Sequence, residues 1–210
     1  MIGTGDGKRS PIKVVSLTKH AEPNAAPNGT EELRLRVQQL SLREQIERNH
    51  FLLMRLNAAN ARLIQSLEQG DAFDAISEII ANLIGCEEVA IFDFNPGEQS
   101  FSLAWSSGVE ATAMQPFLCG AGMFGHAVEQ GVSQYRERQP EASLLPHEKN
   151  LTACIILKSS GEVVGAVAMF GLLPQKSQLE WADFELVKFL ETYGAVAIKF
   201  QRLQKKQVSL

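Results

Sequence analysis

The sequence predicts an α+β domain with an antiparallel sheet, preceded by a long coiled-coil helix. Three observations predict it. From Glu31 to Gln69 the chain runs without Pro or Gly and carries apolar residues on alternating steps of four and three. Beyond Gly70, two pairs of short β-prone runs are each joined by a tight turn. Amphipathic helical stretches stand before the first pair and after the second, which is the order of an α+β domain.

Residues 1–29 are rich in Gly, Pro, Asn, Ser and Ala, the composition of an unfolded tail. One island interrupts it, Ile12, Val14, Val15 and Leu17. The island reads either as a strand or sticky segment serving its own chain, or as a short interaction motif that adds a strand to a partner's sheet edge.

The long helix is expected over 30–69, with Thr30 as its cap and Glu31 and Glu32 in the first turn, where carboxylates suit the helix dipole. A globular helix averages about 11–12 residues, so one this long calls for a partner. Leu35, Leu42, Ile46, Asn49, Leu53, Leu56, Asn60, Leu63 and Leu67 form the seam once Gln39 fills its polar gap. An Asn at a buried a position favours a parallel pair, and Asn60 falls there. These residues are the expected homodimer interface. Leu33, Val37, Leu40, Met54 and Ile64 make a second stripe, which a four-helix bundle with one further helix from each chain would use.

Gly70 breaks the helix, and Asp71 starts a second one whose apolar face is Phe73, Ile76, Ile79, Ile80, Leu83 and Ile84, closed by Gly85. Residues 88–94 read as a buried strand, Asn95 to Glu98 as a turn, and 100–105 as a strand with Phe101, Leu103 and Trp105 on one face. A short helix is expected from Met123 to Gln130, a weak extended segment from Val132 to Tyr135, and a polar loop from Arg136 to Asn150. A second hairpin joins 152–158 to 163–170 around Ser159 to Glu162. The last helix should run from Glu180 or Asp183 to Gln204, with Trp181, Phe184, Val187, Leu190, Tyr193, Val196, Ala197, Phe200 and Leu203 at helical spacing. The domains expected are thus a tail, the dimerisation helix, a domain over 70–204, and a tail over 205–210.

At this point residues 70–201 resemble a GAF domain. The resemblance rests on the strand Glu88-Val-Ala-Ile-Phe-Asp-Phe94, on Gly120-Ala-Gly-Met-Phe-Gly125 with its short helix and closing Gly131, and on the final hairpin followed by Asp183-Phe-Glu-Leu and Tyr193-Gly-Ala-Val-Ala-Ile. It implies terminal helices on one face of the sheet, often used for dimerisation, and a small pocket on the other. The bilin attachment site of some members is missing, because no cysteine precedes a histidine. The Asn-Lys and Asp-Glu signature of cyclic-nucleotide binders is missing too: Asn150 follows Lys149, and Phe184 follows Asp183. Where free-methionine sulfoxide reductases of this family carry a cysteine, this chain has Phe124.

Composition narrows the function classes. The chain of 210 residues is 45% apolar and 21% charged, with a formal net charge of −4. That balance leaves no basic field for nucleic acid. No run of residues approaches the roughly 18–20 apolar positions a membrane span needs, and the first residues lack a signal-peptide core. The three cysteines, Cys86, Cys119 and Cys154, sit among apolar neighbours and read as reduced thiols of a cytoplasmic protein. No cofactor or metal site is expected. Glu137, Glu141, His147 and Glu148 read as a solvated loop.

The expected function is therefore non-catalytic: a signalling or regulatory module that homodimerises through its terminal helices and binds another signalling or scaffold protein. The alternative is a sensor of a nucleotide or metabolite, and a weaker one is a free-methionine sulfoxide reductase-like enzyme. The candidate pocket is Trp105, Met114, Phe117, Phe124, His126, Tyr135, Arg136, Thr152, Cys154 and Met169, either filled by its own side chains or open with Arg136 and His126 orienting a polar ligand.

Overall fold

The computed structural model describes residues 29–98, 100–114, 122–138 and 144–208. The tail island at Ile12 to Leu17, together with Phe117, Cys119, Gly120 and Glu141, lies outside the described residues. Helix α1 spans Gly29–Gln69, opening one residue before the expected cap. Contacts divide the chain into two compact units, and the division falls inside α1, between Gln45 and Ile46.

In the first unit, α1 leaves Leu33, Leu35, Val37, Leu40 and Leu42 exposed. Glu32 and Arg36 pair at 2.7 Å along its surface.

In the second unit, α1 turns a different face inward. Arg55, Ala59, Leu63 and Ser66, three or four residues apart, are buried, and Leu56 and Leu67 pack beside them. This corrects the expected seam: Leu56, Leu63 and Leu67 cover their own domain, while Ile46, Asn49, Leu53 and Asn60 remain exposed. On a helix of 3.6 residues per turn the heptad positions drift around the axis, so only part of the pattern faces the domain.

Gly70 ends α1 at φ +71, its N–H bonded to Ser66 O at 2.8 Å. Helix α2, Ala72–Ile79, continues as a wider turn over Ile80–Ile84 and stops at Gly85 in the left-handed region. Asp71 does not cap it. Its carboxylate is drawn instead to Arg62 of α1 at 2.8 Å, and the first free N–H, Ala72, donates to the side-chain oxygen of Gln201 at 2.8 Å.

The sheet has five strands: β1 Val89–Asn95, β2 Ser100–Ser107, β3 Gln134–Tyr135, β4 Ala153–Ser159 and β5 Glu162–Met169, in the order β2-β1-β5-β4-β3. All neighbours are antiparallel. The β4–β5 turn puts Ser160 at φ 55 and Gly161 at φ 82, the signature of the mirror-image turn that suits a twisted hairpin. Helix α3, Gly122–Gln130, lies between β2 and β3 in the chain. Helix α4, Trp181–Phe189, leads through a wide turn at Leu190–Gly194 into α5, Ala195–Val208.

The expected last helix is thus present, with that wide turn inside it. Adding a residue to one turn rotates everything after it. Leu186, Val187, Leu190, Ala197 and Ile198 are buried, whereas Trp181, Tyr193, Val196, Phe200 and Leu203 are exposed. Gly194 closes that turn against Ile76 of α2, where a Cβ would lie 3.4 Å from Ile76 Cδ1.

The sheet separates two apolar layers. Ile76, Ile80, Ile91, Ile155, Leu157, Val167, Leu186 and Leu190 belong to the helix-covered layer, with Ala59 and Leu63 of α1. Ala90, Phe92, Met123, Phe124, Leu151, Cys154 and Ile156 belong to the far layer, under α3. A bulge at Ala104 pairs Ile91 with Trp105 and Phe92 with Leu103. One extra residue reverses the alternation, so Phe101 and Leu103 face the far layer and Trp105 faces the helices. The expectation that all three share a face is thereby corrected.

Candidate functional site

The far face is where the resemblance places a pocket, and its chemistry centres on the start of α3. The first turn of a helix carries backbone N–H groups with no partner inside the helix and a partial positive charge. Gly122 opens α3 at φ +67. The N–H groups of Met123 and Phe124 donate to the carboxylate of Glu148 at 3.1 and 2.9 Å. Leu145 N–H adds a third bond to the same carboxylate at 3.0 Å. Glu148 ends the short 3₁₀ turn Pro146–Glu148 and is fully buried. The sequence reading of a solvated loop is wrong for this residue. The carboxylate is fully inside because three backbone donors replace its water.

Below this bond cluster aromatic and aliphatic side chains pack together. The rings of Phe92 and Phe124 meet at 4.9 Å, and Phe101 abuts Phe124 edge-on at 6.1 Å. Met114, Met123, Leu151, Cys154, Ile156 and Phe170 fill the remainder. Burial, reinforced by the nearby charge of Glu148, pushes the Cys154 thiol well above the ordinary thiol range. Burial likewise pushes Cys86 up to about 11. Both are free thiols held protonated at neutral pH, the inert kind.

The nine candidate pocket residues among the described ones are divided between the two layers and the surface. Met114, Phe124 and Cys154 pack in the far layer. Tyr135, Met169 and Trp105 belong to the helix-covered layer. Tyr135 meets Phe184 edge-on at 5.0 Å, and the indole N–H of Trp105 donates to Asp74 Oδ1 at 2.9 Å. His126 is exposed, 3.9 Å from Glu129. Arg136 bonds to Lys149 O and, with Thr152, lines a groove of about 470 Å³ beside Glu137 and Lys176. Phe117 lies outside the described residues.

A larger groove, of about 690 Å³, opens at the hairpin end of the sheet between Phe94, Phe101, Val128 and Val163. Among the described residues, no candidate pocket residue lines it. Its rim cations are paired, Lys199 with Glu162 at 3.2 Å and Arg202 with Asp93.

A buried ion cluster secures the other face. Asp183 is fully buried and meets Arg55 and Lys176 at 2.6 Å each, while accepting the Glu180 N–H at 2.7 Å. It joins α1, α4 and the segment before α4. Arg62 pairs with both Glu78 and Asp71, and those hydrogen bonds hold its charge more firmly still. Among the described residues, no group of three His, Cys, Asp or Glu side chains is placed to hold a metal ion. No helix among them is long and apolar enough to cross a membrane.

Sequence reasoning missed Glu148, Arg55 and Lys176. A signal for the first exists: Cys119 to Gly122 offers no Ser, Thr, Asp or Asn to cap α3, so its N–H groups had to find an acceptor elsewhere.

No protein-family model and no curated protein matches the sequence. Solved structures do match. The GAF domain of a phosphoenolpyruvate-protein phosphotransferase from Coxiella burnetii superposes with TM-score 0.57 at 15% identity, over 74% of this chain and 96% of that one. The GAF domain of the Acinetobacter phosphoenolpyruvate-protein phosphotransferase gives TM-score 0.53 at 17% identity, over 71% and 95%. A GAF domain/HD domain protein from Geobacter sulfurreducens gives 0.50 at 15%, over 67% and 98%. With its five-stranded antiparallel sheet, its helix-covered face and its α3-covered face, this chain has the GAF-domain fold.

Proposed function

We propose that the chain is a non-catalytic regulatory module that forms a homodimer through its terminal helices and holds a further signalling or scaffold protein. One observation carries this reading. Large apolar side chains at helical spacing stand outward on both terminal helices, Ile46, Leu53 and Ile64 on α1, and Val196, Phe200 and Leu203 on α5 with Tyr193 in the turn that leads into it, each at least two-fifths exposed. Isolated exposed apolar residues are ordinary, but two such stripes are the mark of a surface that is covered in use. The non-catalytic part is supported by Phe124, which occupies the reductase cysteine position and is packed in the core, and by the protonated, buried Cys86 and Cys154.

Native mass spectrometry of the full chain tests the reading. A dimer that becomes monomeric in the double variant Leu53→Lys, Val196→Lys, with an unchanged far-ultraviolet circular dichroism spectrum, supports it. A wild-type monomer at micromolar concentration overturns it.

The second reading, a small-molecule sensor, has one observation in its favour. The groove at Phe94 and Phe101 reaches about 690 Å³, inside the range of roughly 300–1,000 Å³ typical of ligand sites. A thermal-shift screen of nucleotides and amino acids separates the two, since a ligand selective for the folded state raises its melting temperature.

A further inference from the structure

We infer that the outer edge of β2 pairs with the same edge of a second copy, joining two sheets into one across a two-fold axis at Ser102. This interface is separate from the proposed helical one, and it links chains or helical dimers to one another.

The sheet has two edges, and they are guarded differently. An edge strand presents unpaired N–H and C=O groups, which proteins blunt with short strands, charged side chains, proline or a bulge. The β3 edge has such guards. β3 is only Gln134–Tyr135 and pairs with Cys154 and Ala153. Past its end, Ser133 Oγ takes the Ile156 N–H at 2.9 Å, and Lys158 places a charge on the rest of β4. β2 is different. It runs for eight residues, Ser100–Ser107, pairs with β1, and has no strand on its other side among the described residues. It contains no charged residue and no proline. Its one guard is the bulge at Ala104, which leaves Ser100 to Leu103 as a regular run.

That run is complementary to itself. In an antiparallel pair, directly opposed side chains share a face of the sheet. An axis at Ser102 sets Phe101 opposite Leu103 of the second copy and Ser102 opposite its own equivalent. Phe101 and Leu103 both belong to the far layer, so apolar meets apolar there, and the exposed Ser102 hydroxyls meet on the other face. A register one residue away would set Phe101 opposite Ser102 and mix the two faces. No like charges are opposed, a condition that a strand carrying Lys or Glu at these positions fails against its own copy. The two-fold axis makes the contact self-complementary and closed. The run is short and covers less than a standard interface. Association through it is therefore expected in the hundred-micromolar range and not at micromolar concentration.

Sedimentation velocity of the full chain tests this. The wild type should gain mass between the micromolar and the hundred-micromolar range. Ser102→Lys and Ser102→Glu each oppose like charges at the axis and should keep the micromolar mass throughout. Mixed in equal amounts, the two should associate at least as strongly as the wild type, because Lys then faces Glu. Ser102 is exposed, and Asp93 opposite it on β1 is already paired with Arg202, so both variants should keep the wild-type circular dichroism spectrum. Ser107→Lys, at an exposed position outside the paired run, should associate as the wild type does. Four results overturn the inference: a wild type that gains no mass, single Ser102 variants that gain it as the wild type does, a mixture that stays at the mass of either variant alone, or an equal loss in Ser107→Lys. If the helical reading fails instead, the wild type starts from a monomer, and the Ser102 variants still decide the edge.

Discussion

Both faces of the sheet carry an apolar layer, yet they are closed in different ways. The helix-covered face is closed by long helices fastened with charge: Asp183 between Arg55 and Lys176, and Arg62 between Asp71 and Glu78. Those helices have a second side, and that side still carries exposed Leu53, Ile64, Val196 and Phe200. The far face is closed by a nine-residue helix and a loop, held by one carboxylate on backbone donors, and its large side chains turn inward. The difference teaches where association can occur. A face covered by two-sided helices exports unspent apolar surface, and a face sealed by a short element does not.

The largest expected effect breaks the charge fastening. Asp183→Ala leaves Arg55 and Lys176 without their shared partner in a site where Asp183 is fully buried. Removing one member of a buried ionic cluster typically costs about 3–5 kcal/mol, and urea unfolding should record a loss of that size. A loss below about 1 kcal/mol would mean that the cations reach water and that the helices are held by apolar packing alone.

The next effect separates the two sides of α1. Leu63 is 5% exposed and Leu53 is 58% exposed, although both fall on the same heptad seam. Leu63→Ala should cost about 2–5 kcal/mol through the cavity it leaves. Leu53→Ala should stay within about 0.5 kcal/mol in a chain measured as a monomer, and shift only the dimer equilibrium. Equal costs at the two positions would remove the distinction between a spent and an unspent face.

This contrast also shows what was legible in the sequence. Periodicity located α1, α2, the terminal helix and strands β1, β2, β4 and β5, because burial of one face imposes a period of 3.6 or 2 on the residues that build it. It did not assign faces where the period slips. Tyr193 and Val196 share the helical spacing of Val187 and Leu190 until Leu190–Gly194 adds its extra residue, and Trp105 reads with Leu103 until the bulge at Ala104. A slip costs the sequence no change of pattern on either side of it. The site was harder still. Glu148 and Asp183 are ordinary carboxylates in the sequence, and part of what buries them arrives from afar: Phe124 N–H is 24 residues from Glu148, and Arg55 is 128 residues from Asp183. Partners that distant leave no local spacing to read.

A smaller effect sharpens the role of the far-face carboxylate. Gly122 and Gly161 both have positive φ, +67 and +82, but nothing lies within 4 Å of a Cβ at Gly161. Gly161→Ala should therefore cost about 1 kcal/mol, the backbone penalty alone. Gly122→Ala pays the same penalty and also pushes Glu148 off its donors, so about 2–3 kcal/mol is expected. Thermal unfolding of the two variants isolates the difference, and equal values would show that Glu148 moves aside freely.

The smallest effect concerns Trp105, which the bulge at Ala104 brings to the helix side. Its indole N–H reaches Asp74 Oδ1 at 2.9 Å near the surface, while its ring lies against the helix-covered core. Trp105→Phe keeps most of the ring contact and deletes the donor, so a loss of about 0.5–1.5 kcal/mol is expected from the hydrogen bond. Asp74→Ala should cost a similar amount, and the double variant should cost little more than either single one, because both remove the same interaction. Additive losses would mean that Trp105 acts through its ring alone. The bulge would then place an aromatic surface on the helix face and contribute no anchoring bond to α2.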